Sequence, residues 1–182
     1  MALTKTEAMF FQAACDGYVE FLASHIGKVN PRSTGRLGYT SLMHAAENGR
    51  IKAVAFLLPY SDPNAKNRDG STALMLAAEE GALTCVQALL PRSDPNIQNR
   101  RGHTALMAAI AFGSIDTAIE LAKVTDLSLR SKLGLNARQL ADASEVAGLG
   151  ALIEEAASSA REWQDLEHYV SAAPARTKAC RL

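Results

Sequence analysis

Residues 70–81 read GSTALMLAAEEG, and near copies stand on both sides, GYTSLMHAAENG at 38–49 and GHTALMAAIAFG at 102–113. The opening glycines Gly38, Gly70, Gly102 and Gly134 are 32 residues apart, as are Gly17, Gly49, Gly81 and Gly113 at the far end of the motif. Self-similarity at a fixed period of this size marks a repeat array. Each unit is too small to bury a core alone and depends on stacking against its neighbours.

The local reading of one unit follows from the residues. Thr40, Thr72 and Thr104 stand where a helix N-cap is needed, and small residues such as Ala77 and Ala78 follow, letting helices approach closely. A glycine then turns the chain. A second helix presents Val54, Leu57 and Leu58, or Val86, Leu89 and Leu90, on one face, and Pro59 and Pro91 are expected to end it. Asn30-Pro31, Asp62-Pro63 and Asp94-Pro95 open polar turn segments that lead back to the next glycine. At the start, Thr4 and Glu7 have capping-box spacing, so the first helix begins near Lys5, and Gly17 stops it.

Composition limits the function classes. Lys plus Arg and Asp plus Glu are 19 each, so no net field draws the chain to nucleic acid or an anionic membrane. Scarce aromatics and abundant alanine favour short packed helices over strands. Cys15, Cys85 and Cys180 are odd in number and widely separated, which indicates neither a disulfide framework nor a zinc site. With no apolar run of about 18 residues and no signal-like start, the expectation is a soluble cytoplasmic protein. A nuclear location is the alternative. The terminus Cys180-Arg181-Leu182 is similar to the Ser-Lys-Leu peroxisomal address but departs from it at two of three positions, and a peroxisomal location is not expected.

The order Gly-x-Thr-x-Leu, Ala-Ala, glycine, Val-x-x-Leu-Leu, an Asp/Asn turn and a return to Gly resembles the ankyrin repeat, over roughly residues 5–155. The family's Thr-Pro-Leu-His appears here as TSLM, TALM and TALM, and SDPN stands where Gly-Ala-Asp-x-Asn is usual, making the hairpin one residue shorter. The resemblance implies an all-α solenoid of about five stacked helix pairs with short hairpin fingers. Its units are an N-terminal cap at 5–37, inner repeats at 38–69, 70–101 and 102–133, and a C-terminal cap at 134–157. In that last unit Arg138 and Asp142 replace apolar residues of the inner repeats, as a polar cap requires. Residues 158–170 are expected to prolong the last helix, with Trp163, Leu166 and Tyr169 or Val170 in a stripe that either folds back or binds something. The tail 171–182 is expected to be disordered.

Catalytic constellations are missing from the sequence. His25, His44, His103 and His168 lie in different repeats without a nucleophile at motif spacing, and there is no P-loop, GxSxG or HExxH. No enzymatic activity, cofactor or metal is expected. His44 and Glu47 can share a helix face, but two such residues are commonplace on a solvated helix. Cys15 has no basic neighbour in sequence to activate it. Met43, Met75 and Met107 recur at the repeat period and are read as core filling.

Binding residues are assigned through the resemblance, which places them on fingertips and the outer side of each first helix. Arg36, Arg68, Arg100 and Lys132 recur every 32 residues, with Lys66 and Arg101 near them, and are expected to stack into a basic ladder stepped by about 10 Å. Glu47, Glu79 and Glu80, with Asn48 and Ser71, mark the neighbouring helical surface, and Tyr39, His103 and Phe112 are expected to be exposed along it. The function so implied is a non-catalytic scaffold or adaptor, monomeric, binding an unknown protein partner of reversed polarity. One alternative is recognition of an acidic polymer, nucleic acid or polyphosphate, by the arginines. The other is a regulatory part of a larger kinase-like protein. The mixed charge makes nucleic acid the less expected partner.

Overall fold

The computed structural model describes residues 4–144 and 146–172, with side chains described as far as Gln164. Among the described residues ten α-helices follow one another: α1 Lys5–Asp16, α2 Val19–His25, α3 Ser41–Glu47, α4 Ile51–Leu57, α5 Ala73–Glu79, α6 Leu83–Leu89, α7 Ala105–Ala111, α8 Ile115–Ala122, α9 Ala137–Asp142 and α10 Leu149–Ala172. Among the described residues there is no strand, only an isolated bridge between Arg130 and Asn136. The odd-numbered helices pack in a row from α1 to α9, and the even-numbered ones form a second row behind them. This is the all-α repeat solenoid that the resemblance implied.

Each first helix starts on a side chain placed for the purpose. Thr40, Thr72 and Thr104 accept the N–H of Met43, Met75 and Met107 at 3.2, 3.4 and 3.3 Å, and Asn136 does the same for Gln139 at 2.9 Å. At the start of α1 the Thr4–Glu7 capping box is closed in both directions. A helix of seven residues is marginal alone, so its stability comes from packing. In α5, Ala73 to Ala78 are all buried, between α3 on one side, α7 on the other and α6 behind. Such enclosure requires small side chains, which the Ala-Ala pairs supply. Leu42, Leu57, Leu74, Leu89, Leu106, Leu121 and Leu149 are fully enclosed, each contributing about 1.5–3 kcal/mol by leaving water. Met43, Met75 and Met107 belong to the same core.

The second helices end differently from the sequence reading. Pro59 and Pro91 do not stop the helix at once, because α4 and α6 run on into single 3₁₀ turns, Leu58–Tyr60 and Leu90–Arg92. The proline lies in the first positions of each turn, where its missing N–H leaves no bond unmade. The SDPN segments turn the chain and tie successive repeats together. Asp62 Oδ1 accepts the Asn64 N–H, and Asn64 Oδ1 accepts the Asp94 N–H of the next repeat, both at 2.9 Å. Asn96 repeats the link to Asp126 at 2.7 Å.

Each fingertip is a tight turn closed by a bond from glycine to the residue three before it, Gly70 to Asn67 and Gly102 to Asn99. Asn67 Oδ1 also takes the N–H groups of Asp69 and Ser71, both at 2.9 Å, and Asn99 takes those of Arg101 and His103 at 2.9 and 3.0 Å. Gly35 occupies that place in the first finger, where Leu37 adopts φ +59°, and Ser131 occupies it in the last.

At the C-terminal end, Arg138 pairs with Asp142 at 3.4 Å and with Glu154, so the polar residues of the outer repeat meet one another across α9 and α10. Buried Ile153 and Ala157 hold α10 against the array, whereas Leu152 and Trp163 are exposed, Trp163 by 69%. The indole is therefore not folded back. The helix α10 also runs through residues 171 and 172, two positions into the expected tail. The rest of that tail, 173–182 with Cys180-Arg181-Leu182, lies outside the described residues, as do the side chains of Leu166, His168, Tyr169 and Val170.

Candidate functional site

Stacking sets the fingers in register through their backbones. The N–H of Arg68, Arg100 and Lys132 donates to the carbonyl of Leu37, Asp69 and Arg101 in the preceding finger, each at 2.9 Å. Arg36, Arg68, Arg100 and Lys132 thus share one position in four consecutive turns, and all four side chains are exposed. Lys66, Asn48 and Glu80 are exposed too, apart from the cavity described next.

Between the fingers and the first helices lies a cavity of about 260 Å³. It is built from three successive repeats, Tyr39 from one, Ser71 and Glu79 from the next, and Arg100, Arg101, His103 and Phe112 around the third. Leu76, Ala108 and Ala111 form apolar wall, and Asn67, Asp69 and Asn99 complete the lining. These asparagines escaped the sequence reading, although Asn67 and Asn99 stand 32 residues apart, a spacing that identifies them as equivalent finger positions.

Burial differs from expectation at three of these residues. Tyr39 and His103 are half-buried, and only Phe112, 60% exposed, lies open to solvent. Tyr39 is drawn in by its neighbours, its ring 5.1 Å from that of His44 and its hydroxyl donating to Glu47 Oε1 at 3.3 Å. Ser71 is buried because its N–H is held by Asn67 at the base of the finger.

The electrostatics are mixed, with Asp69 and Glu79 opposite Arg100 and Arg101. Burial raises the Glu79 carboxyl above the usual range; the charge of Arg101 opposes the shift, and Glu47, Glu80 and Asp69 add to it. Glu47 is raised by burial as well, against the hydrogen bond from Tyr39. Burial lowers His44 and His103, and Arg101 adds to the effect on His103. Both imidazoles are therefore biased toward the neutral form.

His44 Nδ1 is 3.9 Å from Glu47 Oε2, and among the described residues no three His, Cys, Asp or Glu side chains gather as metal ligands would. Cys15 is partly covered, and burial and the neighbouring Asp16 raise its thiol despite Arg50 close by. Among the described residues no helix is long and apolar enough to cross a membrane.

Comparison with curated proteins gives no match. The family model for ankyrin repeats in three copies matches residues 10–99 and 61–131. Ankyrin repeats are in general protein–protein interaction modules without catalytic activity of their own. With helix pairs, capped first helices and hydrogen-bonded fingers recurring across the matched residues, this chain belongs to the ankyrin-repeat family.

Proposed function

We propose that this chain is a non-catalytic scaffold or adaptor that binds one protein partner across its fingertips and first helices. The observation that supports it most is the cavity that joins Tyr39, Glu79, Arg101 and Phe112 from separate repeats into one mixed-charge recess beside an exposed ring. Aromatic residues and arginine at such a position suit the centre of a protein interface. The protein acts as a monomer in the cytoplasm in this reading. The basic column extends the recess along the stack and orients a partner of reversed polarity.

Reversal of Arg68 and Arg100 to Glu tests it by capture from native lysate and then by kinetics on the captured partner. A several-fold loss that lies mainly in the association rate and shrinks at high salt is expected, since exposed charges steer encounter. Undiminished capture would contradict the reading.

The exposed arginine column favours a second reading, recognition of an acidic polymer. Changing Glu79 and Glu80 to Lys separates the two, because it strengthens binding to polyphosphate or nucleic acid and weakens binding to a protein of matching polarity.

A further inference from the structure

Glu79 closes α5 with a half-buried side chain on the wall of the cavity. Among the described residues, no donor reaches its carboxylate by hydrogen bond or ion pair. Glu47, the equivalent residue one repeat earlier, has the Tyr39 hydroxyl, so the absence at Glu79 is a local feature and not a property of the position. Arg100 and Arg101 line the same cavity and both are exposed; the Arg101 charge acts on Glu79 from a distance, with no hydrogen bond or ion pair between them.

The two signs of charge are equal in number here, and burial decides between them. An exposed guanidinium is satisfied by solvent. A half-buried carboxylate without a donor is not, and any ligand that displaces its remaining water must replace those hydrogen bonds. An acidic group entering the recess would meet both Glu79 and Asp69. An apolar group would leave Glu79 dry and unpaired. A long cationic side chain fits, because its stem covers Ala111 and Phe112, the exposed apolar residues of the lining, and its head reaches the carboxylate beside the ring of Tyr39. The volume, about 260 Å³, falls below the roughly 300–1,000 Å³ typical of sites for drug-sized molecules and suits a single side chain.

We propose that this cavity receives an arginine or lysine side chain of the protein partner, with Glu79 as its ion-pair acceptor and Arg100 and Arg101 meeting an acidic residue beside it on the partner. This rests on the protein-binding reading and specifies what that partner presents.

The test titrates N-acetyl-arginine amide, in parallel with N-acetyl-glutamate amide, into the full-length ¹⁵N-labelled chain. Saturable shifts at the amides of Glu79, His103 and Phe112 are expected with the arginine probe at millimolar concentration. They should weaken at least threefold in Glu79→Gln and tighten in Arg101→Ala, which removes a competing positive charge. The proposal is overturned if the arginine probe produces no saturable shift, if Glu79→Gln responds like the wild type, or if the glutamate probe perturbs these amides more strongly. A partner lost on reversal of Arg68 and Arg100 but retained by Glu79→Gln would overturn this inference alone, leaving the interaction module intact. Retention in both variants would sink the two together.

Discussion

The backbone N–H of Lys132 donates to the Arg101 carbonyl at 2.9 Å, and Gly102 lies so close against this junction that a Cβ on it would stand 2.7 Å from the Lys132 nitrogen. Gly134 occupies the same place in the last finger at nearly the same φ, +78° against +76°, with nothing within 4 Å of where its Cβ would be. The pair separates two reasons for glycine. Alanine at either site takes on left-handed backbone strain of about 1–2 kcal/mol. Gly102→Ala must in addition push two fingers apart, so urea denaturation should show it at least about 1 kcal/mol less stable than Gly134→Ala. Equal losses would mean that the fingers are not in backbone contact.

Ser131 replaces the asparagine that pins the inner fingers, and its buried Oγ has no hydrogen-bond partner. An asparagine there has the reach to accept from the backbone of Leu133 and Leu135, as Asn67 does from Asp69 and Ser71. Ser131→Asn should stabilise the chain by about 1 kcal/mol, the net value of a typical hydrogen bond, read as a rise in thermal midpoint.

Equivalent positions at the centre and the end of the stack should differ sharply in denaturation experiments. Leu74 is fully enclosed, and Leu74→Ala should cost about 2–5 kcal/mol. Arg138 stands at the matching place in the last repeat with an exposed ion pair to Asp142 and another to Glu154, and Arg138→Ala should cost far less, because solvent screens both pairs.

Glu79 predicts a pH dependence of definite sign. Burial raises its carboxyl in the folded chain, so folding is favoured while the group is protonated, and that advantage is lost as pH rises through the folded value. The ionised group therefore opposes folding at neutral pH. Glu79→Gln should unfold at higher urea than the wild type at pH 7, with the difference disappearing as pH falls below about 4, where an unfolded glutamate is protonated too. A variant less stable than wild type at pH 7 would show that the carboxylate has an internal partner.

The 32-residue period, the threonine caps, the Thr4–Glu7 box and the enclosure of Met43, Met75 and Met107 were legible in the chain itself. Capping joins atoms within one helical turn, and the repeat states the neighbour of every unit, so residue type and spacing suffice for both. Family resemblance selected the surface that carries Arg100, Arg101 and Phe112, but not how those side chains meet. Tyr39 withdrawing toward His44 and Glu47, Ser71 sinking beneath Asn67, and Glu79 left without a donor arise only when fingers and helices of different repeats are brought together. Residues 32 apart in the chain become neighbours through stacking, and it is that stacking, not the composition of any one repeat, that determines which charges lose their water and which keep it.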